Sequence, residues 1–281
     1  MTASAPAAEA GFLGQGEQAR FYLYHAPAGA PRGGWLYLHP FAEEMNKARR
    51  MAALQARALA EQGYAVLQLD LHGCGDSAGD FGDARWDSWH ADVERGREWL
   101  AQRLNGAPCG IWGLRLGALL ALDHAAHAAL PPAALMLWQP VMQGALHLNQ
   151  FLRLKVAAQM LGSAGPGGGT SELRATLTSG TPLEIAGYML APELLLEIDA
   201  VDAARLPPPP CPVHWLEVSS QPEAALSPAA QRQVTRWQAT GVTVHAQAVH
   251  GPAFWASQEI TECPALLKAS LPTLPEAAHA A

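Results

Sequence analysis

The segment Trp112-Gly113-Leu114-Arg115-Leu116-Gly117-Ala118 sets two glycines two residues either side of a central side chain, between an apolar strand pattern and a helical one. This is the spacing of a G-x-S-x-G turn, whose glycines let the chain double back and lift the central nucleophile above a sheet. Here the centre is Arg115. A guanidinium has no lone pair free to attack a carbonyl and stays protonated at any working pH. The serine-type acyl-enzyme route therefore cannot run at this position. The turn still offers the Leu116 N–H and the dipole of the following helix, which together attract anions. Arg115 strengthens that attraction, and a ligand carboxylate, phosphate or sulfate, or an internal acid, is its natural partner. The alternative is an ordinary strand-to-helix turn, which leaves a long cation where strain costs about 1–3 kcal/mol.

The partners such a turn needs are harder to find. Glu223, in Ser219-Ser220-Gln221-Pro222-Glu223, falls where an acid that orients a histidine would lie. It reads equally as a solvated surface acid. His250, in Val249-His250-Gly251-Pro252-Ala253-Phe254-Trp255, is the candidate base, although it comes three residues early and Ala253 holds the tighter alignment. The competing reading is a histidine that finishes a strand. His39-Pro40-Phe41 follows the run GWLYLH, where a second oxyanion donor is expected. Pro40 has no N–H, so the donor falls to Phe41 or a neighbour. Glu43 and Glu44 lie just beyond, and a salt bridge from one of them to Arg115 is the plain structural account of all three charges.

Asp70 to Ser77 (DLHGCGDS) is a D-x-x-G-x-G-x-S loop in which Asp76 or Ser77 can fasten the backbone beside the site, with His72 in the same turn. Cys74 or Ser77 as a displaced nucleophile has no adjacent base visible in the sequence. His39, His72 and His250 end strands on one side of the sheet and, with Asp70 or Asp76, could hold zinc. No compact ligand motif supports this, and neither a metal nor a cofactor is expected. Asp123-His124-x-x-His127 shares one helix face, which reads as a hydrated surface.

The elements that must carry these residues alternate. Strand patterns cover Phe21 to His25, Gly34 to His39, Tyr64 to Asp70, Cys109 to Gly113, Ala134 to Trp138, Val213 to Val218 and Val242 to Val249. Helical spacing covers Asn46 to Gln62, Trp86 to Leu104 and a run from Leu116. Such a rhythm predicts a mostly parallel sheet with helices on both faces. It breaks from Val141 to Leu206, which holds helical patterns and no convincing strand, as a cap over the strand ends would. Inside it, Gly162 to Ser171 (GSAGPGGGTS) reads as a lid hinge; it lacks the Gly-Lys-Ser/Thr ending of a phosphate loop. The expected organisation is a core over 1–140 and 207–271, a cap over 141–206 and a loose tail over 272–281.

Composition narrows the classes. A chain of 281 residues with 49% hydrophobic residues supplies one sizeable α/β core. Mean hydropathy is +0.01, and the longest apolar stretch is broken by Asp123, His124, His127 and Pro131–Pro132, so no membrane span is expected. Neither a signal peptide nor a basic run is readable, and a net charge of −7 gives no reason to expect nucleic acid. Four scattered cysteines suggest reduced thiols in the cytoplasm.

Several of these segments together resemble one family. Leu38 to Lys47 (LHPFAEEMNK), Asp70 to Ser77, Gly113 to Gly117 (GLRLG), Trp138 to Val141 (WQPV), and Phe254–Trp255 with Glu259–Ile260 look like the exosortase A system-associated hydrolase 2 family. The likeness runs from about Gly34 to Pro264, and HPFAEEMNK is its most specific part. It implies an α/β-hydrolase fold and a bacterial setting. It also implies association with exopolysaccharide biosynthesis loci and the PEP-CTERM/exosortase sorting system. It implies no substrate. Arg115 matches the family pattern, which favours a retained role for it. Two functions follow as expectations. In the first, an acyl or ester-type bond in envelope-polymer metabolism is hydrolysed, with Arg115 binding an anionic group and His250, held by Glu223, activating water. In the second, a pseudo-hydrolase holds an anionic glycan, a lipid intermediate or a partner protein. Either admits a homodimer.

Overall fold

A computed structural model describes residues 7–161 and 169–271. Most of the Gly-rich stretch read as a hinge, and the tail 272–281, lie outside the described residues. The strands are β1 (Glu9–Leu13), β2 (Arg20–His25), β3 (Gly33–Leu38), β4 (Tyr64–Leu69), β5 (Cys109–Leu114), β6 (Leu135–Trp138), β7 (Leu183–Ile185), β8 (Tyr188–Leu190), β9 (Val213–Ser219) and β10 (Val244–His250). The helices are α1 (Glu43–Glu61), α2 (Trp86–Arg103), α3 (Leu116–His127), α4 (Gly144–Leu161), α5 (Thr170–Thr178), α6 (Pro192–Ala200), α7 (Pro228–Ala239) and α8 (Pro264–Ala269).

Eight strands form one sheet in the order β1-β2-β4-β3-β5-β6-β9-β10. Only the β1–β2 and β2–β4 pairings are antiparallel. The central strands β3, β4, β5 and β6 are buried on both faces, as their continuous apolarity requires. One core layer packs α1 and α8 around Trp35, Met51, Leu59, Trp112, Trp138 and Phe254. The other packs α2, α3 and the insertion between β6 and β9 around Leu36, Leu67, Trp89, Leu119 and Leu148. Helix α3 runs between sheet and insertion and is buried almost all round, which explains its unbroken LGALLAL sequence.

Register then brings the site together. Leu38 pairs with Gly113, and Leu114 with Trp138, so the turns that follow β3, β5 and β6 emerge side by side. The insertion does contain strands, against expectation. The hairpin β7–β8 is too short for a two-residue alternation to stand out, with only three residues on each side. Helix α1 starts three residues before the expected Asn46, because Glu43 and Glu44 occupy its first turn, where acids suit the helix dipole.

Candidate functional site

The turn after β5 has the geometry its glycines imply. Arg115 takes φ 57° and ψ −116° as the residue preceding α3, a conformation that non-glycine residues occupy at a cost of about 1–3 kcal/mol. A Cβ on Gly117 would lie 2.3 Å from the Leu38 carbonyl oxygen, and one on Gly113 would lie 2.5 Å from Ala118 Cα. Both glycines are therefore required by close approach of backbone. The Arg115 N–H donates to the Trp138 carbonyl at 3.0 Å, and its own carbonyl accepts from Val141 at 3.2 Å. The strained turn is thus tied to the neighbouring strand. A second residue of the same shape lies beside it: Ala42, preceding α1, has φ 49° and ψ −124°. Two helix N-termini converge on one point. Among the described residues, the N–H groups of Phe41 and Leu116 have no hydrogen-bond partner, as donors kept for an anion would not.

Arg115 is paired, and the partner is Glu44. Its Nε donates to Glu44 Oε1 at 3.2 Å and its Nη2 to the same oxygen at 3.1 Å. The two side chains are 16% and 12% exposed, so the pair is largely desolvated. Burial pushes the Glu44 carboxyl upward, and Arg115 pulls it back only in part. Glu43 is also raised, mainly by burial, and its Oε2 is buried without a partner. The Arg115 guanidinium stands 5.6 Å from the Trp255 ring centroid, a cation–π contact. The Glu44 contacts leave the Nη1 edge of the fork uncommitted among the described residues.

Arg115 lines two cavities, of about 680 Å³ and about 240 Å³. The larger one is bounded by Arg115, the segment Pro140 to Gln143, and helix α7, which adds Arg232 and Arg236. Arg236 donates to the Ala204 carbonyl, whereas Arg232 makes no ion pair among the described residues. The smaller cavity is lined by Glu43, Glu44, Lys47 and Trp255. Arg115, His147 and Gln150 line both. His147, on α4, is only 5% exposed, and neither ring nitrogen has a partner. Burial, helped by the charge of Arg115, lowers its pKa to about 3, so the ring is neutral at physiological pH.

The other residues singled out in the sequence lie apart from this centre. His250 is exposed, with Nδ1 at 3.0 Å from the Gln221 carbonyl, and Glu223 is exposed without a hydrogen-bond partner among the described residues. Neither lines a cavity that Arg115 lines. His39 is buried, with Nδ1 on the Pro40 carbonyl at 2.8 Å and Nε2 accepting from the Leu71 N–H at 3.3 Å. Burial lowers both His39 and His72. Asp70 fastens the glycine loop by accepting from the Asp76 N–H at 3.1 Å and from Arg49 at 3.2 Å. Ser77 bridges the Asp70 carbonyl and the Phe21 N–H, which occupies its hydroxyl. The Cys74 thiol is buried and pushed well up, away from a reactive thiolate. Asp123 receives Trp86 Nε1 and His90 Nε2 at 2.6 and 2.9 Å, on a partly buried rather than hydrated face. Among the described residues, no group of three His, Cys, Asp or Glu side chains is placed to hold a metal ion.

His147, Gln150, Arg232, Arg236 and Trp255 line the cavities without having been marked as site residues by the sequence. Four of them are on helices α4 and α7, and nothing in their spacing sets them apart from ordinary amphipathic faces. Trp255 alone carried a signal, through the Phe254–Trp255 pair.

A strained turn after a central parallel strand, with helices on both sheet faces and an insertion over the strand ends, defines the α/β-hydrolase fold. Residues 29–195 match the family model described as serine aminopeptidase, S33, and the chain belongs to that family. Solved structures agree on the fold. Est1E from Butyrivibrio proteoclasticus with ferulic acid bound superposes with a TM-score of 0.63 at 16% identity, covering 90% of this chain and 93% of that one. A thermostable carboxyl esterase from Bacillus coagulans in complex with glycerol gives 0.59 at 15% identity, covering 88% and 91%. XC6422 from Xanthomonas campestris, described as a serine hydrolase without lid, gives 0.54 at 16% identity, covering 89% and 86%. No curated protein matches by sequence. No helix among the described residues is long and apolar enough to cross a membrane.

Proposed function

We propose that this chain uses the capped pocket to bind an anionic small molecule and forms no acyl-enzyme. One observation carries the reading: the cation at the centre of the nucleophile turn, its Nη1 uncommitted among the described residues, lines a cavity that Arg232 and Arg236 also line. The starts of α1 and α3, next to Glu44 and Arg115, add positive potential beside the pair. The ligand bound to Est1E, which shares the fold, is ferulic acid, itself a carboxylic acid. The hydrolytic alternative requires His250 as base and Glu223 as its orienting acid, and these stand outside both cavities. The LHPFAEEMNK resemblance suggests a ligand class, an anionic glycan or lipid-type intermediate of exopolysaccharide or envelope metabolism, with action in the cytoplasm.

The test pairs binding with turnover. Benzoate and phenyl phosphate should raise the melting temperature of the full chain, and Arg115→Gln should remove that effect. Activated esters and thioesters should turn over no faster than with an Arg115→Gln, His250→Ala double variant. Anion stabilisation that survives Arg115→Gln, or turnover well above the double variant, overturns the reading.

A further inference from the structure

The polar groups left unmatched around Arg115 carry more information than the cation alone. His147 has two ring nitrogens without partners in a side chain that is 95% buried by its 5% exposure. A buried donor or acceptor left unmade costs about 1–3 kcal/mol. A histidine in such a place is normally satisfied or replaced by an apolar residue. Nothing about packing demands an imidazole here. Its contacts are with the Phe41 ring, 5.7 Å away edge-on, a role that Phe or Leu would fill. His147 also lines both of the cavities that share Arg115.

The protonation state sets what this ring can recognise. A neutral imidazole presents one N–H donor and one lone-pair acceptor. Burial and the neighbouring guanidinium hold it neutral. A carboxylate or phosphate can use the donor but has no hydrogen for the acceptor. A hydroxyl group can use either. Glu43 Oε2, buried and unpartnered on the smaller cavity, is a second acceptor awaiting an O–H.

We propose that His147 selects the ligand: the site takes an anion that bears a hydroxyl close to its charge, Arg115 holding the charge and His147 the hydroxyl. This rests on the anion-binding reading above and goes on to name the ligand class, a hydroxy acid or sugar acid as opposed to a simple carboxylate. Reaching the shielded nitrogens requires a change of His147 rotamer or a small shift of α4. The ligand hydroxyl then replaces two unmade hydrogen bonds with one or two made ones.

Glucuronate and cyclohexanecarboxylate share a six-membered ring and a carboxylate and differ in hydroxyl groups, so they are the probes. Calorimetric titration of the full chain should show glucuronate binding ~10-fold tighter, equal to about 1.4 kcal/mol. His147→Phe should abolish that preference, bringing the ratio of the two affinities to about one. The ¹⁵N imidazole resonances of His147 should shift on adding glucuronate and not on adding cyclohexanecarboxylate. If His147→Phe folds poorly, His147→Met makes the same comparison. No preference in the natural chain, or one that persists in the His147 variants, overturns the proposal and leaves the Arg115 site standing. Failure of both acids to bind, or binding that survives Arg115→Gln, overturns the anion site and this inference with it.

Discussion

Replacing Glu44 with glutamine separates two accounts of the central ion pair. If Glu44 staples Arg115 for stability, removing its charge should destabilise the fold by about 3–5 kcal/mol, the usual cost of breaking a buried pair. The raised Glu44 carboxyl argues otherwise. A group whose folded pKa lies above its unfolded value stabilises the fold at acid pH and loses that contribution as pH rises through the folded pKa. At neutral pH the Glu44 charge therefore opposes folding, since desolvation exceeds the attraction of Arg115. Glutamine keeps the shape and one acceptor oxygen for the guanidinium. Glu44→Gln should thus leave the melting temperature unchanged or slightly raised at pH 7.5, with the difference vanishing towards pH 4. Ligand binding should respond more strongly. An anion on the free Nη1 edge would sit roughly 6 Å from the Glu44 carboxylate, a repulsion of ~3 kcal/mol at an effective dielectric constant of about 20. The cavities are open to water, and halving that figure for screening leaves about 1.4 kcal/mol, or a tenfold gain in affinity. Titration with benzoate and phenyl phosphate measures it directly. A melting temperature lower by more than about 6 °C, with no gain in affinity, would refute the reasoning and make the pair a structural staple.

Four further outcomes follow from the same geometry. Arg115→Ser should not restore esterase activity on p-nitrophenyl acetate, because His250 is exposed on the Gln221 carbonyl and lines no cavity with residue 115; a rise of about 100-fold over Arg115→Gln would show that a base does reach the turn. Gly117→Ala should cost more than about 4 kcal/mol or prevent folding, since its Cβ would meet the Leu38 and His39 carbonyl oxygens at 2.3 and 2.6 Å; urea denaturation reads the loss. Asp92→Asn should cost about 3–5 kcal/mol by the same measurement, because it leaves the buried Arg20 guanidinium without its counter-charge in a pair whose side chains are 7% and 2% exposed. Acid should weaken the fold through His147 and His214, lowered to about 3 and about 4. Their contribution is complete above pH 6.5 and is lost as pH falls towards those values, so His147→Phe should flatten the urea midpoint between pH 7 and pH 5.

The fold was largely legible because its signals are local and repeated. Apolar runs such as YAVLQL and GLRLG's preceding strand declare themselves through continuity, and the elbow glycines declare themselves by their spacing about residue 115, although what requires Gly117 is the Leu38 carbonyl of a strand far away in the chain. The pair of Arg115 with an acid of the HPFAEEMNK segment was also within reach, since charges flanking two neighbouring turns have few other partners. What the sequence hid is whatever depends on distance along the chain. His147 and Arg232 belong to helices whose faces look ordinary, and only the packing of α4 in the insertion and of α7 after β9 brings them to the cavity that Arg115 lines. The β7–β8 hairpin was hidden for a different reason, its three-residue strands being too short to show a period. Glu223 and His250 illustrate the opposite error risk: residue type and place in the order of strands suggested a role, while side-chain direction, which no single sequence encodes, left both facing solvent.

The elbow has one more implication. Its strain is held by Gly117 pressed against the Leu38 and His39 carbonyls, by Gly113 pressed against the Gly117–Ala118 backbone, and by backbone hydrogen bonds of Arg115 with Trp138 and Val141, none of which involves the central side chain. The conformation is enforced by the scaffold whatever residue sits at its apex. Chemistry and folding are thus uncoupled at residue 115, and the apex behaves as a socket. A lineage can exchange a nucleophile for a recognition group there in one codon's step, keeping the pocket, its potential and its cap while changing what the protein does with the molecule it holds.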